Sequence, residues 1–108
     1  MKGIADTGFL VAFVSRHDDH HDWAVDVARQ SVEPFLTCES VLSETAFHLG
    51  SCSKIFEMLN QHFVRIAFDC HEHLPHLESR PETYADRKPD FADLCLIRMS
   101  ELFPKYPV

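Results

Sequence analysis

The stretch IADTGFL, residues 4–10, puts a carboxylate, Asp6, between a short apolar run and the start of a helical pattern. Residues 2–5 (KGIA) read as a short strand. Residues 7–14 (TGFLVAFV) read as a helix with Phe9, Leu10, Phe13 and Val14 on one side. Taken alone, Asp6 is accounted for as a solvent-facing turn residue. In a parallel sheet covered by helices, however, binding crevices open beyond the carboxyl ends of the strands. The order of the remaining elements therefore decides what Asp6 is for.

That order alternates. After a polar joint (RHDDHH, 16–21), residues 21–31 predict a helix with Trp23, Ala24, Val27 and Ala28 on one face. Glu33-Pro34 breaks it, and FLT (35–37) is a second strand. Residues 40–49 predict a third helix with Val41, Leu42, Ala46 and Leu49 inward, closed by Gly50. A fourth helix over 53–62 and a third strand over 64–68 follow. Residues 70–84 are irregularly helical, punctuated by Pro75 and Pro81. The last helix, 90–103, carries a stripe of Phe91, Cys95, Met99 and Leu102, with Asp90 as N-cap and Pro104 as its end. YPV (106–108) looks like the beginning of a fourth strand. Short apolar strands separated by helices predict a parallel sheet with helical cover.

The whole is one α/β domain, residues 1–108, and its hydrophobic content of 45% with nine Phe is enough for a core without staples. There is no apolar run of membrane-spanning length and no signal-peptide pattern, so neither a membrane nor an export route is expected. Cys38, Cys52, Cys70 and Cys95 are widely spread, without a C-x-x-C pair, and read as reduced, mostly buried thiols of a cytoplasmic protein. The net charge of −7 argues against a module that holds nucleic acid by phosphate neutralisation alone. It suits a protein that acts on a polyanion through a metal, or one that docks a basic partner.

Three carboxylates lie off the apolar stripes. Glu44 on the third helix is flanked by apolar residues, and taken alone a solvated helix face explains it better than a ligand role. Asp93 lies one turn from Asp90 near a helix N-terminus, where an acid also complements the macrodipole. Three converging carboxylates would repel one another and raise their own pKa values, a penalty that a divalent cation removes. Ligands that are all oxygen select a hard ion such as Mg²⁺ or Mn²⁺.

Read in order, IADTGFLVAFVSRHDDHHDWA (4–24), LTCESVLSETAFHL (36–49) and YADRKPDFADLCLIRMSE (84–101) resemble the PIN-domain family, especially its VapC-type ribonuclease toxins. The opening Asp-Thr-Gly, the Asp-x-His-His joint, the Leu-x-Glu and the Phe-Ala-Asp all recur there, and the resemblance runs along the whole chain. It implies a three-layer α/β/α sandwich around a short parallel sheet of order 3-2-1-4. It also implies a catalytic and metal-ligating set of Asp6, Glu44 and Asp93, with Asp90 as a cap or outer neighbour. The implied activity is Mg²⁺- or Mn²⁺-dependent hydrolysis of RNA by the toxin of a toxin–antitoxin pair, with an antitoxin protein as partner. Family members continue into a strand bearing a Thr-x-Asp motif and a fourth acid, and that segment is absent before Val108. The expectation is therefore a C-terminally incomplete copy with weak or no activity. Its first strand would present an open edge that KYPV (105–108) cannot satisfy, and it would self-associate or lose stability.

Rival readings use other residues. A non-catalytic module that keeps the fold and docks an antitoxin or other protein partner fits the acidity equally well. His71, His73 and His76 with Cys70, or His17, His20 and His21, could supply nitrogen and sulfur to zinc, although the spacing is not that of a zinc finger. No cysteine stands out as an activated nucleophile.

Overall fold

A computed structural model describes residues 2–79 and 90–108. The chain is mixed α/β, with helices predominating over a small parallel sheet. Helix α1 (Thr7–Val14) and α2 (His21–Gln30) lead to strand β1 (Phe35–Thr37), then α3 (Glu39–Leu49), α4 (Ser53–Asn60) and strand β2 (Val64–Ile66). A 3₁₀ turn (Cys70–His73) runs into the short α5 (Leu74–Glu78), and α6 (Phe91–Leu102) follows. The expectations resting on residues 80–89, Pro81 among them, lie outside the described residues.

Strands β1 and β2 pair in parallel, Phe35 opposite Val64 and Thr37 opposite Ile66. The first strand is shorter than its sequence suggests: residues 2–5 contribute a single parallel bridge, Ile4 to Leu36. Its hydrogen bonds nevertheless fix the register. The Ala5 N–H donates to the Leu36 carbonyl at 2.8 Å, and the Leu36 N–H donates to the Gly3 carbonyl at 2.9 Å. The Ala5 carbonyl is met by the hydroxyl of Thr37, a fully buried side chain, at 3.1 Å. With the N–H and the carbonyl of Ala5 both partnered, the chain leaves the sheet at Asp6 without orphaning either.

YPV forms no strand, yet the opposite edge of Ile4 is not bare. The Ile4 N–H donates to the Pro107 carbonyl at 2.7 Å. The expectation of an unsatisfied edge there is corrected for this group. Pro107 lacks a donor, but its carbonyl is an acceptor, and Ile4 needs an acceptor. Across the sheet the segments therefore run 64–66, 35–37, residue 4, residue 107.

The core gathers Ile4, Leu10, Leu36, Val41, Val64 and Met99. α1 packs on α2 and α3, and α3 in turn touches α4 and α6. Beside this core the rings of Phe13 and Phe63 stack at 4.3 Å, and Phe9 meets Phe35 at 5.0 Å. Three helix stripes are rotated from their expected positions. In α6 the buried residues are Ala92, Cys95 and Met99, whereas Phe91 and Leu102 are exposed. In α3 the inward residue beyond Val41 and Leu42 is Thr45, whose hydroxyl donates to the Val41 carbonyl. That bond makes its burial tolerable. In α2 only Ala24 is buried, and Trp23 lies largely in solvent. The helix ends follow the sequence signals: Gly50 closes α3 at a φ of 71°, in the left-handed region that favours glycine.

All four cysteines are free, but only Cys38 and Cys95 are buried; Cys70 is half-buried and Cys52 exposed. The "mostly buried" expectation therefore holds for two of them. Burial pushes the Cys95 thiol up from 9.0 to about 11.

Two outcomes follow from these contacts. An added Cβ at Gly3 would stand 2.8 Å from the Pro107 carbonyl oxygen, so Gly3→Ala must push the C-terminal segment off Ile4. Urea unfolding should show a loss of about 1–3 kcal/mol, the cost of an unmet buried donor; unchanged stability would mean that the contact contributes nothing. For Cys95 the raised value fixes the sign. The folded protein holds this proton more tightly than the unfolded chain, so the contribution is whole below pH 9. It is lost as pH rises towards 11. Melting curves should fall more steeply over that window for the native protein than for Cys95→Ala, and parallel curves would contradict the assignment.

Candidate functional site

Asp6 sits where the chain leaves the sheet, and it caps α1. Its backbone is extended (φ −96°, ψ 175°), and Oδ1 accepts the Phe9 N–H at 2.8 Å. This is the ordinary work of an N-cap aspartate: one orphan donor of the first turn is satisfied, and negative charge stands at the positive end of the helix.

Glu44 arrives from α3. Its Oε1 accepts the hydroxyl proton of Thr7 at 2.8 Å, across 37 positions of sequence. Glu44 is half-buried, as is Asp6. The fold thus brings the carboxylate of α3 to the residue next to Asp6, at the amino end of α1. Each of the two acids has one oxygen engaged. Asp6 Oδ2 and Glu44 Oε2 have no partner among the described residues.

Asp93 is held differently. It forms a capping box with Asp90: the Asp93 N–H donates to Asp90 Oδ1 at 2.8 Å, and the Asp90 N–H donates to Asp93 Oδ2 at 3.2 Å. Asp90 is therefore the N-cap that the sequence suggested. Asp93 is solvent-exposed, with its carboxylate turned back on its own helix end. Among the described residues no group of three or more His, Cys, Asp or Glu side chains is arranged to hold a metal ion. The structure bonds Glu44 to Thr7, the residue after Asp6, and leaves Asp93 engaged with Asp90.

Asp6 and Glu44 both offer carboxylate oxygen, the donor type of hard cations, near the amino end of α1; Asp93 is not brought to them. Two of the histidines have packing contacts. His73 stacks on Phe68 at 5.0 Å, and its Nδ1 accepts the Arg98 Nε–H at 3.3 Å. His21 Nδ1 lies 2.8 Å from the Ala12 carbonyl, tying α2 to α1.

Thr7 is the residue that sequence reading missed. It belongs to the Asp-Thr-Gly run, but nothing in the pattern assigned its hydroxyl. The available signal was a hydroxyl residue directly after a strand-end carboxylate, at the first position of a helix.

Compared with known proteins, the chain matches no family model, no curated protein and no solved structure.

Labelling with iodoacetamide offers a check on the surroundings of the site. Cys38, which opens α3, is buried, whereas Cys52 at the start of α4 is exposed. Mass spectrometry should find Cys52 modified first and Cys38 protected until unfolding. Early modification of Cys38 would mean that the junction leading to Glu44 is open.

Proposed function

We propose that the chain is a PIN-like α/β/α ribonuclease of the VapC toxin type, hydrolysing RNA phosphodiester bonds with Mg²⁺ or Mn²⁺. The observation that carries this reading is the Thr7–Glu44 hydrogen bond, which draws the acid of α3 to the strand-end acid Asp6. The succession of sheet segments 64–66, 35–37, residue 4 and residue 107 supports the PIN-like layout.

In this reading Asp6, Glu44 and Asp93 hold the ion, the first two through the oxygens left over by Phe9 N–H and Thr7. A bound Mg²⁺ or Mn²⁺ would supply Lewis-acid polarisation of the phosphodiester and activation of water. The work of the protein is orientation. The Phe9 N–H fixes the Asp6 rotamer, and the Thr7 hydroxyl fixes Glu44, so two acids meet the ion with little left to organise. Asp93 is engaged in its capping box with Asp90 and would have to leave it to join them. An antitoxin with a basic segment is the partner this reading implies.

The acidity of the chain also favours a second reading, a non-catalytic module of the same shape that docks such a basic segment. Cleavage assays separate the two. With a single-stranded RNA and Mn²⁺, the weak cleavage expected of this chain should vanish with EDTA and fall below detection in Asp6→Asn, Glu44→Gln and Asp93→Asn. Thr7→Val, which keeps the shape and removes the hydroxyl, should fall about 10- to 100-fold, as for loss of an outer partner of a metal ligand. Cleavage unchanged in Asp6→Asn would refute the nuclease reading. No cleavage by the native chain, with tight binding of a basic peptide lost in Asp6→Asn, would establish the docking module.

A further inference from the structure

A cavity of about 330 Å³ lies beside Asp6, between the 2–4 segment, α1, α2 and the C-terminal residues. Its apolar walls include Phe9, Trp23, Val27 and Phe35, and its two charged lining residues are Lys2 and Asp6. Trp23 packs edge-on against Phe9, with ring centroids 5.9 Å apart, yet remains 57% exposed. Lys2 is held at the cavity by the Tyr106 ring, its ammonium 4.9 Å from the centroid. The volume is at the low end for small-ligand pockets, which suits one planar group and not a folded partner.

We propose that this cavity receives one unpaired nucleobase of an RNA strand, stacked against Trp23, with a flanking phosphate at Lys2. The inference rests on the ribonuclease reading, because Asp6 lines the cavity and belongs to the candidate site. A polyanion gains little from a chain of net charge −7. Its affinity must come from contacts that do not depend on net charge, and base–aromatic stacking is such a contact. A base presents flat apolar faces between two anionic phosphates. The aromatic walls match the faces, and Lys2 matches one phosphate. An apolar peptide side chain would use the same walls but would leave the cation without a role. The strand must be single, because in a duplex the base faces are covered.

Trp23 is the sole tryptophan, so its fluorescence reports on the cavity directly. The intact protein is titrated with a short single-stranded RNA, with the same backbone made abasic, and with the duplex, in EDTA and again in Ca²⁺. Saturable quenching is expected with the single strand, and binding about tenfold weaker or more with the other two. Anisotropy of a labelled strand should show Trp23→Ala and Lys2→Ala weakened while Trp23→Phe, which keeps a ring, retains most of the affinity. Circular dichroism confirms that the variants are folded. Equal binding of the abasic strand, no quenching, or unchanged affinity in Trp23→Ala overturns the proposal. Failure of the broader reading looks different: base-dependent quenching without metal-dependent cleavage removes the nuclease and keeps the pocket. Cleavage without quenching removes only the pocket.

Discussion

A chain that leaves a sheet must find partners for the backbone groups at the point of exit, and here that constraint falls on Ala5. Its N–H stays in register with Leu36, and its carbonyl is taken by the hydroxyl of the buried Thr37. Only because this last group is satisfied can the next residue turn into α1. Asp6 then has both a free direction and a cap to make. Everything at the candidate site descends from that exit: the α1 amino end, the Thr7 hydroxyl one position on, and the meeting with Glu44 from α3.

Much of this was legible in the residues. The bounds of α1 and β1 follow from the apolar runs, and the Asp90 cap and Gly50 terminus follow from local chemistry that needs no tertiary information. What was not legible depends on distant parts of the chain. Phe91 and Leu102 fit a helical stripe by spacing, but the neighbours of α6 are α3 and α5, and they cover the face of Ala92, Cys95 and Met99. Spacing identifies a face and cannot say which of two adjacent faces is met. Residues 2–5 read as a full strand because their composition is right, while the ladder available to them holds one bridge. Pro107 read as useless to an edge because attention fell on its missing donor, whereas the group opposite required an acceptor. Thr7 was invisible because its partner lies 37 positions away.

The carboxylates show the same division. Asp6 was recognisable from its place at a strand end, and Glu44 from its place off an apolar stripe. That the two share one helix end is a tertiary fact carried by a single hydroxyl. Each of the three carboxylates has a donor: Asp6 takes the Phe9 N–H, Glu44 the Thr7 hydroxyl, and Asp93 the Asp90 N–H. Each of these bonds uses one oxygen and so fixes the direction of the other.

Calorimetry of Mn²⁺ binding tests the proposed cation site of Asp6, Glu44 and Asp93 without any substrate. The account predicts one ion per chain, with affinity lost in Asp6→Asn and in Glu44→Gln, and reduced in Thr7→Val through loss of orientation. Binding that survives unchanged in Asp6→Asn and Glu44→Gln, or a native chain that takes up no ion, would contradict it.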